Sequence, residues 1–139
     1  MSEHTEQVAL VQWAKLMQRK YPELKNLFAI PNGGARDIVT GAKLKAEGVV
    51  AGIPDLFLAS PHGAYSGLFI EMKIKPNKPT AKQLEVMSNL IEQNYAVHVC
   101  YSADAAIEVI TDYLRGKQWN QQELLDWIAW KHTTNYERN

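Results

Sequence analysis

The chain has 139 residues, 46% of them hydrophobic and 22% charged, which suffices for one domain with a real core. Lys plus Arg number 15 and Asp plus Glu 15, so the net charge is zero, which argues against a protein that coats nucleic acid through bulk charge. The single Cys100 cannot form an internal disulfide, no stretch reaches the length of a membrane span, and Met1 to Glu6 has neither the basic start nor the apolar core of a secretory leader, so a reduced cytoplasmic setting with no membrane is expected.

Residues 3 to 20 carry a helical period, with Val8, Leu10, Val11, Ala14 and Met17 among the apolar positions, and Tyr21-Pro22 ends the run. Leu27 to Ile30 predicts a short strand that enters Pro31-Asn32-Gly33-Gly34, a turn rich in residues tolerating positive φ. Residues 37 to 47 read as a helix capped by Gly48. Asp55 to Ala59 is a short apolar run entered through Gly52 and Pro54 and closed by Ser60-Pro61-His62-Gly63, hence a largely buried strand, and Leu68 to Ile74 reads as its hairpin partner.

Two prolines in Pro76-Asn77-Lys78-Pro79 forbid regular structure, and Thr80 makes a good N-cap for a helix from Ala81 to about Gln93. Tyr95 to Tyr101 is rich in strand formers, and Ser102-Ala103-Asp104 opens a helix through Ala106, Ile107, Val109, Ile110 and Leu114 that stops at Gly116. The order helix, strand, helix, strand, strand, helix, strand, helix predicts an α/β fold with a mixed sheet flanked by helices. No repeat, low-complexity stretch or linker interrupts it. Residues 1–116 are expected to form one domain and 117–139 a C-terminal helical extension. From Trp119 to Lys131 the extension carries Leu124, Leu125, Trp127, Ile128 and Trp130, an apolar load that either packs on the same core or forms a subunit contact.

Side chains alternate along a strand, so Glu71 and Lys73 point one way while Ile70, Met72 and Ile74 point to the core. Taken alone, such a pair is a solvated face with a weak ion pair. Asp55 changes the balance, because a carboxylate opening an apolar strand must face a cation or a hydrogen-bond donor. An Asp, a Glu and a Lys converging at adjacent strands supply two hard oxygen ligands for Mg²⁺ or Mn²⁺ and one ammonium beside them. Lys73, Lys75, Lys78 and Lys82 crowd around this site, with Arg36, Lys43 and Lys45 on the preceding segment, and such local clusters can meet phosphates. The backbone amides of Asn32, Gly33 and Gly34 are further candidates for a phosphate. His62 and His98 read as structural, since four scattered histidines show no zinc-ligand spacing and one cysteine excludes a thiolate cluster.

Gly52-Ile53-Pro54-Asp55 followed by Ile70-Glu71-Met72-Lys73 resembles the PD-(D/E)XK nuclease signature. Ile30 to Arg36, Gly41 to Val49 and Ala51 to Leu56 extend the likeness, in order, to the stand-alone VRR-NUC (virus-type replication-repair nuclease) domains of bacteriophages and prophages, over nearly the whole of residues 3 to 115. The resemblance implies a restriction-endonuclease-like core and a Mg²⁺- or Mn²⁺-dependent DNA endonuclease, structure-selective for branched DNA such as four-way junctions or flaps. It also implies a homodimer, a phage or prophage origin, and a role in DNA replication, recombination or repair inside the bacterial host. Asp55 and Glu71 then bind the ion, the backbone carbonyl of Met72 is a further ligand, and Lys73 orients or helps deprotonate the attacking water. Related nucleases also carry a first-helix glutamate; Glu3 and Gln7 lie four apart, as do Glu6 and Leu10, so spacing does not choose, and family order favours Glu3. Gln83, in the first turn of the helix after the Glu71 strand, matches a Gln that related nucleases direct at the site. The other function class is a non-catalytic DNA-binding or assembly protein that keeps the fold. A base-specific restriction enzyme finds no support, because no recognition domain fits within 139 residues.

Overall fold

Ser2 starts the first helix, α1 (Glu3–Leu16), through a capping box in which its Oγ accepts from Thr5 N at 3.1 Å while Thr5 Oγ1 accepts from Ser2 N at 3.0 Å. The computed structural model of the chain describes residues 1–31 and 38–133. Within them α1 is shorter than the predicted 3 to 20. The chain turns after Met17, and Tyr21, which precedes Pro22 and is therefore biased away from helix, has φ −125° and ψ 86° before a 3₁₀ turn over Pro22–Asn26.

Four strands follow: β1 (Leu27–Ala29), β2 (Leu56–Leu58), β3 (Leu68–Met72) and β4 (Ala96–Cys100), lying side by side in that order. The first three are antiparallel, with Phe28, Phe57 and Phe69 in register. β4 runs parallel to β3, a reversal that needs a crossover, supplied by α3 (Ala81–Glu92). Between β1 and β2 stands α2 (Ile38–Ala46), and the chain ends in α4 (Ala103–Leu114) and α5 (Gln121–Thr133). The predicted punctuation operates where expected. Gly48 at φ 100° closes α2, the Thr80 and Gln83 side chains form a capping box at the start of α3, and Ser102 Oγ accepts from Ala105 N at 3.0 Å to start α4.

One face of the sheet presents Leu56, Leu58, Leu68, Ile70 and Met72 to Leu10 and Ala14 of α1 and to Ala106, Ile110 and Tyr113 of α4. The opposite face presents Phe69 and Val97 to Met87 and Ile91 of α3, with Leu124 and Leu125 of α5 packed alongside. Every residue of β3 is therefore buried, so the face that carries Glu71 is covered as well as the core face that carries Ile70 and Met72. The Glu71 face is covered by helices that lie later in the chain, so Glu71 is only 2% exposed.

The C-terminal helix is fastened to the sheet. Gln121 Oε1 accepts from Val97 N at 2.9 Å and Gln121 Nε2 donates to Tyr95 O at 2.8 Å, while Trp119 N donates to Tyr65 Oη at 2.8 Å. Ile128 is buried, whereas Trp130 remains 55% exposed. Among the described residues, no helix is long and apolar enough to cross a membrane.

Candidate active site

Asp55 is held by its backbone and by its side chain. The loop before it presses on the first turn of α3 so closely that a Cβ on Gly52, which has φ 87°, would stand 3.0 Å from the Lys82 carbonyl oxygen. Ile30 N then donates to Asp55 O at 2.8 Å, tying the entrance of β2 to the end of β1. With its backbone fixed, Asp55 turns its Oδ2 to accept from Met72 N at 2.8 Å, which brings the carboxylate against the end of β3.

Glu71 shares the β3 face of Phe69 and points toward α3. Its Oε2 accepts from Gln83 Nε2 at 2.7 Å, and Gln83 Oε1 accepts from Thr80 N at 2.9 Å, so one side chain both caps α3 and holds the glutamate. Glu71 Oε1 is buried with no hydrogen-bond partner. Burial, followed by the hydrogen bond and the negative charge of Asp55, pushes the Glu71 carboxyl up to about 9; Lys73 opposes this and Glu3 adds to it. Without an ion, Glu71 therefore holds its proton well into the alkaline range. Lys73 follows β3 directly, half-buried, with its N–H donating to Cys100 O at 3.0 Å.

The donor set fits a divalent cation. Two carboxylates close enough to share a proton can instead share a metal charge, which would satisfy the orphaned Glu71 Oε1, and the Met72 backbone lies directly against Asp55. Among the described residues, no group of three or more His, Cys, Asp or Glu side chains could hold a metal ion.

The two acids of α1 have separate positions. Glu6 is buried, and its Oε1 accepts from Ala103 N at 3.2 Å, at the first residue of α4, where a carboxylate satisfies a free helix donor. Glu3, one turn earlier, opens onto the cleft beside Asp55. The structure thus brings Glu3 to the carboxylate pair and assigns Glu6 to packing.

Glu3, Asp55, Glu71 and Gln83 lie on the wall of a cavity of about 790 Å³, and a second concavity of about 530 Å³ continues from Glu3 and Asp55 along α1 past Gln7, Val11 and Lys15. A family model described as the VRR-NUC domain matches residues 1–104. The chain belongs to this family. A solved structure titled "VRR_NUC domain protein" is similar to it, at 28% sequence identity and a TM-score of 0.72, with 86% of this chain and 93% of that chain covered. A comparison with curated proteins gave no match. The nuclease-type fold, a mixed α/β sheet flanked by helices, is thereby shown.

Within this VRR-NUC domain, Asp55, Glu71, Gln83 and Glu3 converge, and Lys73 lies close enough to act on Glu71. Asn32, Gly33, Gly34 and Arg36 lie outside the described residues. Lys43 is exposed on α2, and Lys75 is exposed with its Nζ 6.0 Å from the centre of the Tyr101 ring; neither lines the cavity. Lys45 and Lys82 do line it. Their signal in the sequence was a crowd of lysines, and only the placement of α2 and α3 separates them from the rest. His62 sits 3.4 Å from Glu23, and His98, whose titration burial lowers to about 4, packs its ring on Trp119 at 4.5 Å; neither belongs to the cleft.

Proposed function

We propose that the chain is a Mg²⁺- or Mn²⁺-dependent endodeoxyribonuclease that hydrolyses phosphodiester bonds in branched DNA, such as four-way junctions or flaps. Residues 1–116 form the nuclease domain and 117–139 an extension of it. The observation that carries the reading is Glu71: a buried carboxyl beside Asp55, with Oε2 held by Gln83 and Oε1 left without a protein partner, where one cation could meet both acids. A non-catalytic DNA-binding protein would have no use for that arrangement.

Asp55 and Glu71 would hold the ion, with the Met72 carbonyl as a further donor. Bound there, it neutralises charge on the scissile phosphate and lowers the pKa of a water. Gln83 fixes Glu71 through Oε2 and leaves Oε1 for the ion. The Lys73 ammonium orients the attacking water or steadies the charge developing on the phosphate, and Glu3 adds a carboxylate to the same cleft. The reading includes a homodimer and a phage or prophage enzyme at work in the bacterial cytoplasm.

Cleavage of labelled four-way, flapped and nicked DNAs in Mg²⁺ and Mn²⁺ tests the reading. Asp55→Ala and Lys73→Ala should lose at least about a thousandfold in rate while remaining folded. Glu3→Gln should lose about tenfold or more, and Glu6→Gln should stay within a fewfold of the parent rate. Wild-type-like cleavage by the Lys73→Ala protein at saturating metal would overturn the mechanism. The solution mass at micromolar concentration should be twice the 15.7 kDa of one chain, and a strict monomer would remove the dimer.

A further inference from the structure

The cavity is larger than an ion needs. It is a half-open cleft of about 790 Å³, and away from the carboxylates its wall is largely uncharged. Gly41 and Leu44 lie three apart on α2, Gly48 just past the helix end lines the same wall, and Ile53, on the loop that carries Asp55, lines it too. A Cβ on Gly41 would meet nothing within 4 Å, so the space in front of it is open. Lys45 and Lys82, both exposed, supply positive charge at the same wall.

We infer that this cavity receives one unpaired nucleotide of the DNA strand being cut, its base lying between Leu44 and Ile53 and its flanking phosphates reaching Lys45 and Lys82. Asp55 and Glu71 belong to the same wall, so an occupant of the cavity is continuous with a phosphate held by the carboxylates. The second concavity, beyond Glu3 and Asp55, gives the strand a way on. This inference rests on the nuclease reading and adds its substrate class: DNA in which a nucleotide beside the cut is already out of the stack. Opening a stacked pair costs a few kcal/mol, and a bulged, flapped or single-stranded nucleotide avoids most of that cost. An apolar wall also accepts any of the four bases, because every base has an apolar face.

The test compares a duplex carrying a single-nucleotide bulge with an unbroken duplex of the same flanking sequence, both bound to the full-length protein in Ca²⁺ and followed by fluorescence anisotropy. The wild type should bind the bulge at least about tenfold more tightly. Gly41→Leu, which fills the cavity from a helix position where leucine is favoured over glycine, should bring bulge affinity down to duplex affinity. Its Mn²⁺ affinity, measured by calorimetry, should stay within about twofold of the parent value. Leu44→Ala, which trims the apolar wall of the cavity, should reduce the preference severalfold. Equal affinity of the wild type for the two DNAs, or a preference that survives in a folded Gly41→Leu protein, would overturn the inference. A protein that prefers the bulge but never cuts in Mn²⁺ would keep the pocket and sink the nuclease reading; one that cuts without preferring the bulge would do the reverse.

Discussion

Glu71→Gln is expected to abolish metal-dependent cleavage and, at alkaline pH, to make the metal-free protein more stable than its parent. The first half follows from losing one of two anionic ligands, worth several kcal/mol of transition-state stabilisation and so at least about a thousandfold in rate. The second half follows from linkage. Glu71 holds its proton up to about 9 in the folded chain against an ordinary 4.5, so the folded state binds the proton more tightly than the unfolded state does. The stability tied to that proton is complete below about pH 4.5 and is lost as pH rises toward about 9. A glutamine never ionises, and its amide N–H can replace the shared proton toward Asp55 while its oxygen still accepts from Gln83. Thermal melts in a chelator should therefore show little difference between the two proteins at pH 5 and a variant Tm higher by about 5 °C or more at pH 9. A parent protein whose margin over the variant does not change between those pH values would contradict the buried, proton-sharing pair.

Adding the ion should recover what the wild type loses. Mn²⁺ at a hundred times its dissociation constant contributes about 2.7 kcal/mol to the folded state if the unfolded chain does not bind it. For a chain of this size that raises Tm by about 5 to 10 °C. The gain should be larger at pH 8 than at pH 6, because at lower pH the cation must displace the proton held between Glu71 and Asp55. Asp55→Ala should show almost none of it. An equal Tm gain in the Asp55→Ala protein would place the ion elsewhere on the molecule.

Much of this site was legible in the order of residues along the chain. Asp55, Glu71 and Lys73 stand at strand ends, where short-range signals are strongest, a glycine-proline entry and two-residue alternation, whereas Gln83, in the first turn of α3 behind its threonine cap, was singled out by the family resemblance. Burial of Glu71 was less legible. Alternation shows a face but not what covers it, and over Glu71 the cover is the first turn of α3, whose Gln83 bonds the carboxyl. The choice between Glu3 and Glu6 was hidden for a similar reason. Both are acids in the first turns of one helix, and only the arrival of α4, with its free N–H at Ala103, separates a packed carboxylate from an open one. Helix length failed locally: the apolar pattern runs on through Met17, yet the backbone bias of the residue before Pro22 and the turn at Met17 to Tyr21 end α1 at Leu16.

Gln121 does to β4 what a neighbouring strand would do. Its amide takes the outward N–H of Val97 and the carbonyl of Tyr95, one donor and one acceptor, at the start of β4 on the sheet border. While α5 is in place, those two groups are closed to a pairing strand. The tail thus blunts one edge of the sheet at its start, whereas at the opposite edge Phe28 of β1 stands 51% exposed.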